Sequence, residues 1–146
     1  MVKFNSEFLV EGPIKPAQII EVYNNSKTEN IGAHSVFNGQ VRADIIDNQK
    51  VVAIEYTAYP HMVNNEMSDI IKSISHKFDD LKQIHILHST GLLKVGEISL
   101  FVFVSSGHRK QAFRALEEIV ELIKVRIPIW KKEIFENQIH RWPSNK

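Results

Sequence analysis

Residues 98–133 read ISLFVFVSSGHRKQAFRALEEIVELIKVRIPIWKKE, and this stretch decides the fold. Ile98–Val104 is an almost unbroken apolar run, which is typical of a central strand buried on both faces. Apolar residues then recur at helical spacing over Arg109–Arg126, and Pro128 ends the helix. Ile129–Phe135 indicates a second strand. The stretch therefore predicts a strand, a long amphipathic helix and another strand in succession.

Basic side chains lie at both ends of this predicted helix. Between Gly107 and Glu133 the chain has seven Lys or Arg and four Glu, although the whole chain carries a net charge of only +1. A strand that leads into a helix N-terminus presents free N–H groups, and the serines before Gly107 are suited to cap it. The pattern indicates a bound anion, whereas solvated side chains at Arg109 and Lys110 are the plainer interpretation.

Lys124 stands beside the apolar face of the predicted helix. Its ammonium either reaches out to water or is partly desolvated, which would lower its pKa and make it useful as an acid, base or nucleophile. Arg109 lies 15 residues earlier, roughly 22 Å away along a helix. One small ligand cannot contact both residues in one chain. Either they serve different sites, or a second copy of the chain brings its Arg109 to Lys124.

The remaining elements are predicted from the same periodicities. Strands are expected at 4–10, 32–42, 51–59 and 84–87, and helices at 16–24 and 62–78. The strands at 32–42 and 51–59 flank a turn at Asp47–Gln49 and are expected to pair as a hairpin, with Gly39 marking either a bulge or a close approach of a ligand to the backbone. The core is expected to take Val52, Ile54, Tyr56 and Ala58 from the second of these strands, and Ala112, Phe113, Leu116, Ile119, Val120 and Ile123 from the long helix.

Composition favours one ordinary soluble domain over residues 1–146. Apolar residues make up 43% and charged residues 24% of the chain. The absence of cysteine excludes disulfides and chemistry by a thiolate of this chain. No apolar run reaches the ~18 residues of a membrane helix, and the first residues lack the apolar core of a signal peptide. We therefore expect a cytoplasmic protein.

Several familiar sites are not indicated. His85 and His88 are three apart in a predicted strand, so they point to opposite faces and do not form a metal site. The six glycines are scattered singly, without a phosphate-loop or dinucleotide fingerprint. We expect neither a metal nor a cofactor.

Five ordered pieces of the sequence resemble the catalytic large subunit of molybdopterin synthase. They are Gly32-Ala33 with Phe37–Arg42; Ile54–Tyr59; Gly91–Leu93 with Val95–Glu97; Ser105 through His108-Arg109 to Phe113; and Lys124–Glu133. Together they span about residues 32 to 142, and the last two are highly specific in combination.

The resemblance implies an α+β hammerhead-type fold, with mainly antiparallel strands and two longer helices. It also implies a central homodimer with a small ubiquitin-like sulfur-carrier subunit at each end, in a heterotetramer. The carrier's Gly-Gly tail ends in a thiocarboxylate and enters a pocket of the large subunit. Sulfur then passes to cyclic pyranopterin monophosphate, which makes this family a sulfurtransferase of molybdenum cofactor biosynthesis.

The resemblance also assigns site residues. Lys124 and Lys131 match the catalytic lysines, and Arg42 matches the pocket arginine. His108 and Arg109 match a pair that the neighbouring subunit contributes, so the substrate-binding set is Arg42, His108, Arg109 and Lys131.

The sequence departs from the family at one position of the pattern. The family usually has His-Arg where this chain has His88-Ser89, so any contact made by that arginine is missing or made elsewhere.

The alternative function is a non-enzymatic module that binds nucleic acid or a phosphorylated ligand.

Overall fold

The computed structural model describes residues 1–137 and 139–143. Within these residues the chain forms three helices and nine strands. The helices are α1 (Pro16–Asn24), α2 (Pro60–Lys77) and α3 (Arg109–Arg126). The strands are β1 (Lys3–Phe4), β2 (Leu9–Glu11), β3 (Ala33–Gln40), β4 (Ile45–Ile46), β5 (Gln49–Ala58), β6 (Leu81–Lys94), β7 (Ile98–Ser106), β8 (Ile129–Phe135) and β9 (His140–Arg141).

The main strands follow the order β3-β7-β6-β5-β8-β9, and all of these neighbours are antiparallel. The short β1 and β2 add to β6 in parallel, and β4 pairs with β5. The expected α+β fold with mainly antiparallel strands and two longer helices is thus confirmed. None of the helices in the described part of the chain has the length and hydrophobicity needed to cross a membrane.

Strand β7 lies between β3 and β6, and nearly all of it is buried, as its apolar run predicts. On one face Leu100, Val102 and Val104 pack with α2 and α3 in the largest core cluster. On the other face Phe101 and Phe103 pack with Val22 of α1. The apolar residues of β7 are therefore shared between two layers of helix.

Strand β6 connects the two halves of the sheet. Its residues 81–88 pair with β7, whereas residues 91–94 pair with β5. Gly91 lies between the two parts with a φ of 85°, a left-handed conformation that favours glycine. The prediction of a short strand that stops before Ser89 was wrong, because glycine lets the strand change direction without ending.

The predicted hairpin between strands 32–42 and 51–59 was also wrong. Strand β3 pairs with β7, and β5 pairs with β6 and β8. The turn itself is present, since Asp47 and Asn48 adopt positive φ, but it joins β5 only to the two-residue β4. Long-range pairing with a more apolar partner replaced the local pairing that the turn suggested.

Three further expectations are corrected and one is confirmed. Val52 is exposed and Val51 is buried, because the β5–β8 register shifts between Val51 and Ala53. Phe113 of α3, which was expected in the core, is 63% exposed, and Ala115 is buried there instead. Residues 4–10 contribute to two short strands rather than one. The expected bulge at Gly39 is present, as a register shift between Gly39 and Gln40.

Candidate active site

A small pocket of about 50 Å³ opens where the last turn of α3 meets β5, β6 and β8. Two lysines of the sequence prediction lie on it together. Its lining residues are Tyr56, His88, Ile123, Lys124, Ile127, Ile129 and Lys131. The ladder between β5 and β8 places Lys131 opposite Tyr56, and α3 supplies Ile123 and Lys124. The pocket therefore combines two cations with aliphatic walls.

The pKa of Lys124 is lowered from its ordinary value. Burial is the largest cause, followed by the positive charge of Lys131; Glu121 opposes the shift and Arg42 adds to it. Part of the Lys124 side chain remains exposed to solvent, so the effect of burial is partial. Of the two alternatives for Lys124, the structure supports the partly desolvated amine, which gives up its proton more readily than a free lysine.

His88 is a buried, neutral imidazole on the same pocket. Its Nδ1 lies 2.8 Å from the carbonyl oxygen of Ser89, and a carbonyl only accepts, so Nδ1 carries the proton. Nε2 is then the ring nitrogen that can accept a hydrogen bond. Burial lowers the pKa of His88 to about 4, the hydrogen bond to Ser89 opposes the shift, and the charge of Lys124 adds to it.

Tyr56 is the second neutral polar group of the pocket. Burial raises the pKa of its phenol, a hydrogen bond with Ser99 opposes this, and the charge of Glu133 adds to it. Sequence reasoning placed Tyr56 in the core and in a piece that matches the family, and it placed His88 where the family pattern changes, but it assigned neither residue to the site. A polar residue within the apolar run of β6 was the available signal for His88.

Strand β9 closes the outer side of this region through a buried carboxylate. Glu133 is only 5% exposed, and Arg141 binds its Oε1 through Nη2 at 2.7 Å and Nε at 2.8 Å. On the neighbouring position, Lys132 pairs with Glu55 at 2.9 Å and lies over the Trp142 ring. Arg141 and Trp142 therefore hold the described end of the chain against β8.

Arg42 lies near the pocket without lining it. Its side chain is 81% exposed and pairs with Asp44 at 3.3 Å. Its positive charge nevertheless contributes to the lowered pKa of Lys124.

His108 and Arg109 lie at the opposite end of α3, and neither lines the pocket. Both are exposed, and His108 is the N-cap residue of the helix. The expected serine cap was wrong: Ser106 Oγ donates to the carbonyl of His108, while the Asp80 carboxylate accepts the His108 backbone N–H at 2.7 Å. One chain therefore brings Lys124, Lys131 and Arg42 together and leaves His108 and Arg109 apart.

Metal ligands do not converge anywhere in the ranges 1–137 and 139–143. No group of three or more His, Cys, Asp or Glu side chains there could hold a metal ion. The polar side chains that line the pocket are two amines, an imidazole and a phenol.

The fold and pocket define an α+β protein with a lysine-lined cleft at the C-terminal end of α3. A sequence model described as "MoaE protein" matches residues 9–126, and the chain belongs to this family. The resemblance found in the sequence is thus confirmed.

Named relatives agree. The chain is 41% identical to the molybdopterin synthase catalytic subunit of Drosophila grimshawi over 128 residues, covering 87% of this chain and 35% of the relative. It is 36% identical to the protein of the same name from Taeniopygia guttata, covering 79% and 73% of the two chains. The chain spans about a third of the length of the fruit-fly relatives it matches.

Solved structures share the fold. The crystal structure of molybdopterin synthase from Staphylococcus aureus superposes with a TM-score of 0.84 at 35% identity, over 95% of this chain and 97% of that one. A complex of subunits 1 and 2 of molybdopterin-converting factor from Helicobacter pylori gives 0.77 at 21% identity, over 92% and 88%. At that identity the second likeness concerns the fold alone.

Proposed function

We propose that this chain is the catalytic subunit of a molybdopterin synthase. It transfers sulfur from a thiocarboxylated small carrier subunit to cyclic pyranopterin monophosphate and so forms the molybdopterin dithiolene. The observation that carries the proposal is the pair Lys124 and Lys131 on one pocket, with the pKa of Lys124 lowered. The names of the relatives and the S. aureus structure support it.

The reactants suit this pocket electrostatically. The carrier tail ends in an anionic thiocarboxylate, and the substrate carries a phosphate, so both gain from nearby cations. Lys131 and Arg42 bind these anions in the proposal. The chain has no cysteine, which fits a protein that receives its sulfur from a partner.

Lys124 is the proposed acid–base or acyl-stabilising group. As the thiocarboxylate sulfur of the carrier bonds to a carbon of the substrate, a C–O bond at that carbon breaks and the departing oxygen takes up a proton. Water then cleaves the bond between the carrier's carbonyl carbon and the sulfur, which leaves the sulfur on the product as a thiolate and releases the carrier as a carboxylate. An amine with a lowered pKa exchanges protons more easily near neutral pH than an ordinary lysine, which suits each of these steps. His88 Nε2 and the Tyr56 phenol provide uncharged hydrogen-bonding partners beside it.

A second copy completes the proposed site. Residues Arg109–Arg126 form one continuous helix, so His108 and Arg109 cannot reach Lys124 of their own chain. In a homodimer they serve the partner's pocket, and a carrier at each end gives a heterotetramer. The H. pylori structure is itself a complex of two different subunits.

Reconstitution tests the function. Purified chain, thiocarboxylated carrier and pyranopterin should yield molybdopterin, and Lys124→Ala should abolish the product. Lys72→Ala, on the exposed surface of α2, is the matched control and should keep full activity. Full activity of Lys124→Ala would refute the role of Lys124.

Mixed dimers test the shared site. Chains with Arg109→Ala and chains with Lys124→Ala should be inactive alone, and mixing them should restore one intact site per mixed dimer. Failure of the mixture to regain activity would refute a site built from two copies.

The binding-module alternative has less support. Acidic residues at 117, 118 and 121 separate the basic ends of α3, and Glu118 pairs with Lys77 at 2.8 Å. The helix therefore does not present one continuous basic surface. Salt-sensitive RNA binding without sulfur transfer would favour this alternative.

A further inference from the structure

The turn between α2 and β6 holds the start of α3 through Asp80. Its Oδ2 accepts the backbone N–H of His108 at 2.7 Å and lies 3.1 Å from Nδ1 of the His108 ring. Since a carboxylate only accepts, Nδ1 donates in this contact. One carboxylate thus binds both the backbone and the side chain of the same residue.

The backbone of Gly107 lies close to Asp80. Gly107 donates its N–H to the carbonyl of Asp80 at 3.2 Å, and a Cβ on Gly107 would lie 2.5 Å from Asp80 Oδ1. A Cβ on Gly32 would in turn collide with the carbonyl oxygen of Gly107. Glycines at 32 and 107 therefore allow the start of β3, the end of β7 and the Asp80 turn to approach one another.

Gln111 fixes the turn from the other side. Its Oε1 accepts the backbone N–H of Asp80 at 2.8 Å, and its Nε2 donates to Asp79 Oδ1 at 2.8 Å. The Lys82 ammonium lies 3.9 Å from Asp80 Oδ1. The hydrogen bond from the His108 backbone is the largest cause of a lowered Asp80 pKa, so the group is a carboxylate near neutral pH.

His108 is held firmly although its own chain scarcely covers it. The side chain is 91% exposed, yet Asp80 contacts its ring. With Nδ1 bound to Asp80, Nε2 is the nitrogen left to meet another molecule. An exposed side chain with a fixed ring is the arrangement expected for a group that acts outside its own chain.

We propose that Asp80 is a positioning residue, which orients His108 and the adjacent Arg109 for the pocket of a second copy. The inference rests on the proposed function and deepens it. Asp80 touches no reactant. It acts in trans, because the residues it holds serve the partner's Lys124.

Complementation between variant chains tests this placement. Asp80→Ala should reduce sulfur transfer by roughly 10- to 100-fold, as expected when a reacting group is misplaced by about 1 Å. Mixed with Lys124→Ala, it should recover one working site, which combines Lys124 of the Asp80→Ala chain with His108 and Arg109 of the other chain. Mixed with Arg109→Ala, it should recover none.

Matched variants separate positioning from folding. Asp80→Asn keeps an oxygen that can accept the His108 N–H and should lose less activity than Asp80→Ala. Asp69→Asn removes a carboxylate from exposed α2 and should behave as wild type. If Asp80→Ala falls in the same complementation group as Lys124, or complements both variants, the proposal is wrong.

A readout without sulfur transfer distinguishes this inference from the function it rests on. In the chain alone, Asp80→Ala should speed amide exchange at His108 by at least roughly 10-fold, because that N–H loses a charge-assisted bond, and should move the ¹⁵N resonance of His108 Nδ1. Unchanged exchange and resonance would overturn the positioning role even if the wild type makes molybdopterin. If both respond but the wild type makes none, only the proposed function fails.

Discussion

The rings of Tyr56 and His88 meet edge to face, with 5.3 Å between their centroids, on the pocket that Lys124 and Lys131 also line. Burial raises the pKa of Tyr56 and lowers that of His88, so both are uncharged near neutral pH. These walls do not neutralise the two lysines. A bound anion is therefore attracted to the two lysines without an opposing charge from these two rings.

The charge of Lys131 should control the titration of Lys124. In the wild type the positive charge of Lys131 disfavours the ammonium form of Lys124. We therefore expect Lys131→Gln, which removes that charge, to raise the pKa of Lys124. Glu121→Gln should lower it further. NMR titration of ¹³C-methylated lysines measures both shifts, with Lys72→Gln as the control that should leave Lys124 unchanged. A Lys124 titration that is identical in all four proteins contradicts this coupling.

Stability should fall in mild acid because His88 is buried neutral. Its pKa is about 4 when folded and 6.5 when free. Between pH 6.5 and pH 4 the unfolded chain therefore binds more protons than the folded chain. The contribution of neutral His88 to the free energy of unfolding is complete above pH 6.5 and is lost as the pH falls toward 4. The shift corresponds to about 3 kcal/mol at most.

Denaturant unfolding of wild type and His88→Asn across this pH range checks the prediction. Asparagine keeps a donor for the Ser89 carbonyl, and its slope of stability against pH should be flatter. His85 also has a lowered pKa, from burial opposed by Glu21, so His85→Asn is the necessary comparison. Equal slopes for wild type and His88→Asn would contradict the assignment.

A methyl group at residue 107 should strain the start of α3. Gly107→Ala places a Cβ against the Asp80 carboxylate, and overpacking of this kind costs roughly 1–3 kcal/mol. The cost should shrink in an Asp80→Ala background, because the opposing oxygen atoms are gone. Chemical denaturation of the two single variants and the double variant gives the coupling, and strict additivity would exclude the contact.

The buried pair at β9 should matter more than the exposed pair beside it. Glu133→Gln weakens two charge-assisted hydrogen bonds to Arg141, and we expect a loss of about 1–3 kcal/mol in the free energy of unfolding. Glu55→Gln weakens the more exposed pair with Lys132, and about 0.2–1 kcal/mol is expected. Equal losses in thermal or denaturant unfolding would show that burial of Glu133 contributes nothing.

Segments with a long, clear period were predictable from sequence. Helix α3 has the predicted bounds Arg109–Arg126, and β8 has the predicted bounds Ile129–Phe135. The pairing between strands that are distant in sequence was not predicted correctly. The Asp47–Asn48 turn indicated a hairpin, but the partner of β3 is β7, some sixty residues further along the chain, and no local signal specifies it.

The candidate site was predictable only in part for the same reason. The charge pattern and helical spacing singled out Lys124 and Arg109, and the family resemblance added Arg42, His108 and Lys131. The structure groups Lys124, Lys131 and Arg42 near one pocket. Tyr56 and His88 were missed, because β6 must first bend at Gly91 to bring them together. Asp80 was missed because its partner lies 28 residues away in sequence.

The 18 residues of α3 set the distance and the angle between Arg109 and Lys124. A helix advances about 1.5 Å and turns about 100° with each residue. Inserting or deleting one residue between Arg109 and Lys124 would rotate one end of the proposed shared site away from the other, whichever amino acid was involved. Most substitutions on the solvent side of α3 leave that spacing intact. In the proposed shared site, the number of residues in α3 is therefore set by the geometry of two chains rather than one.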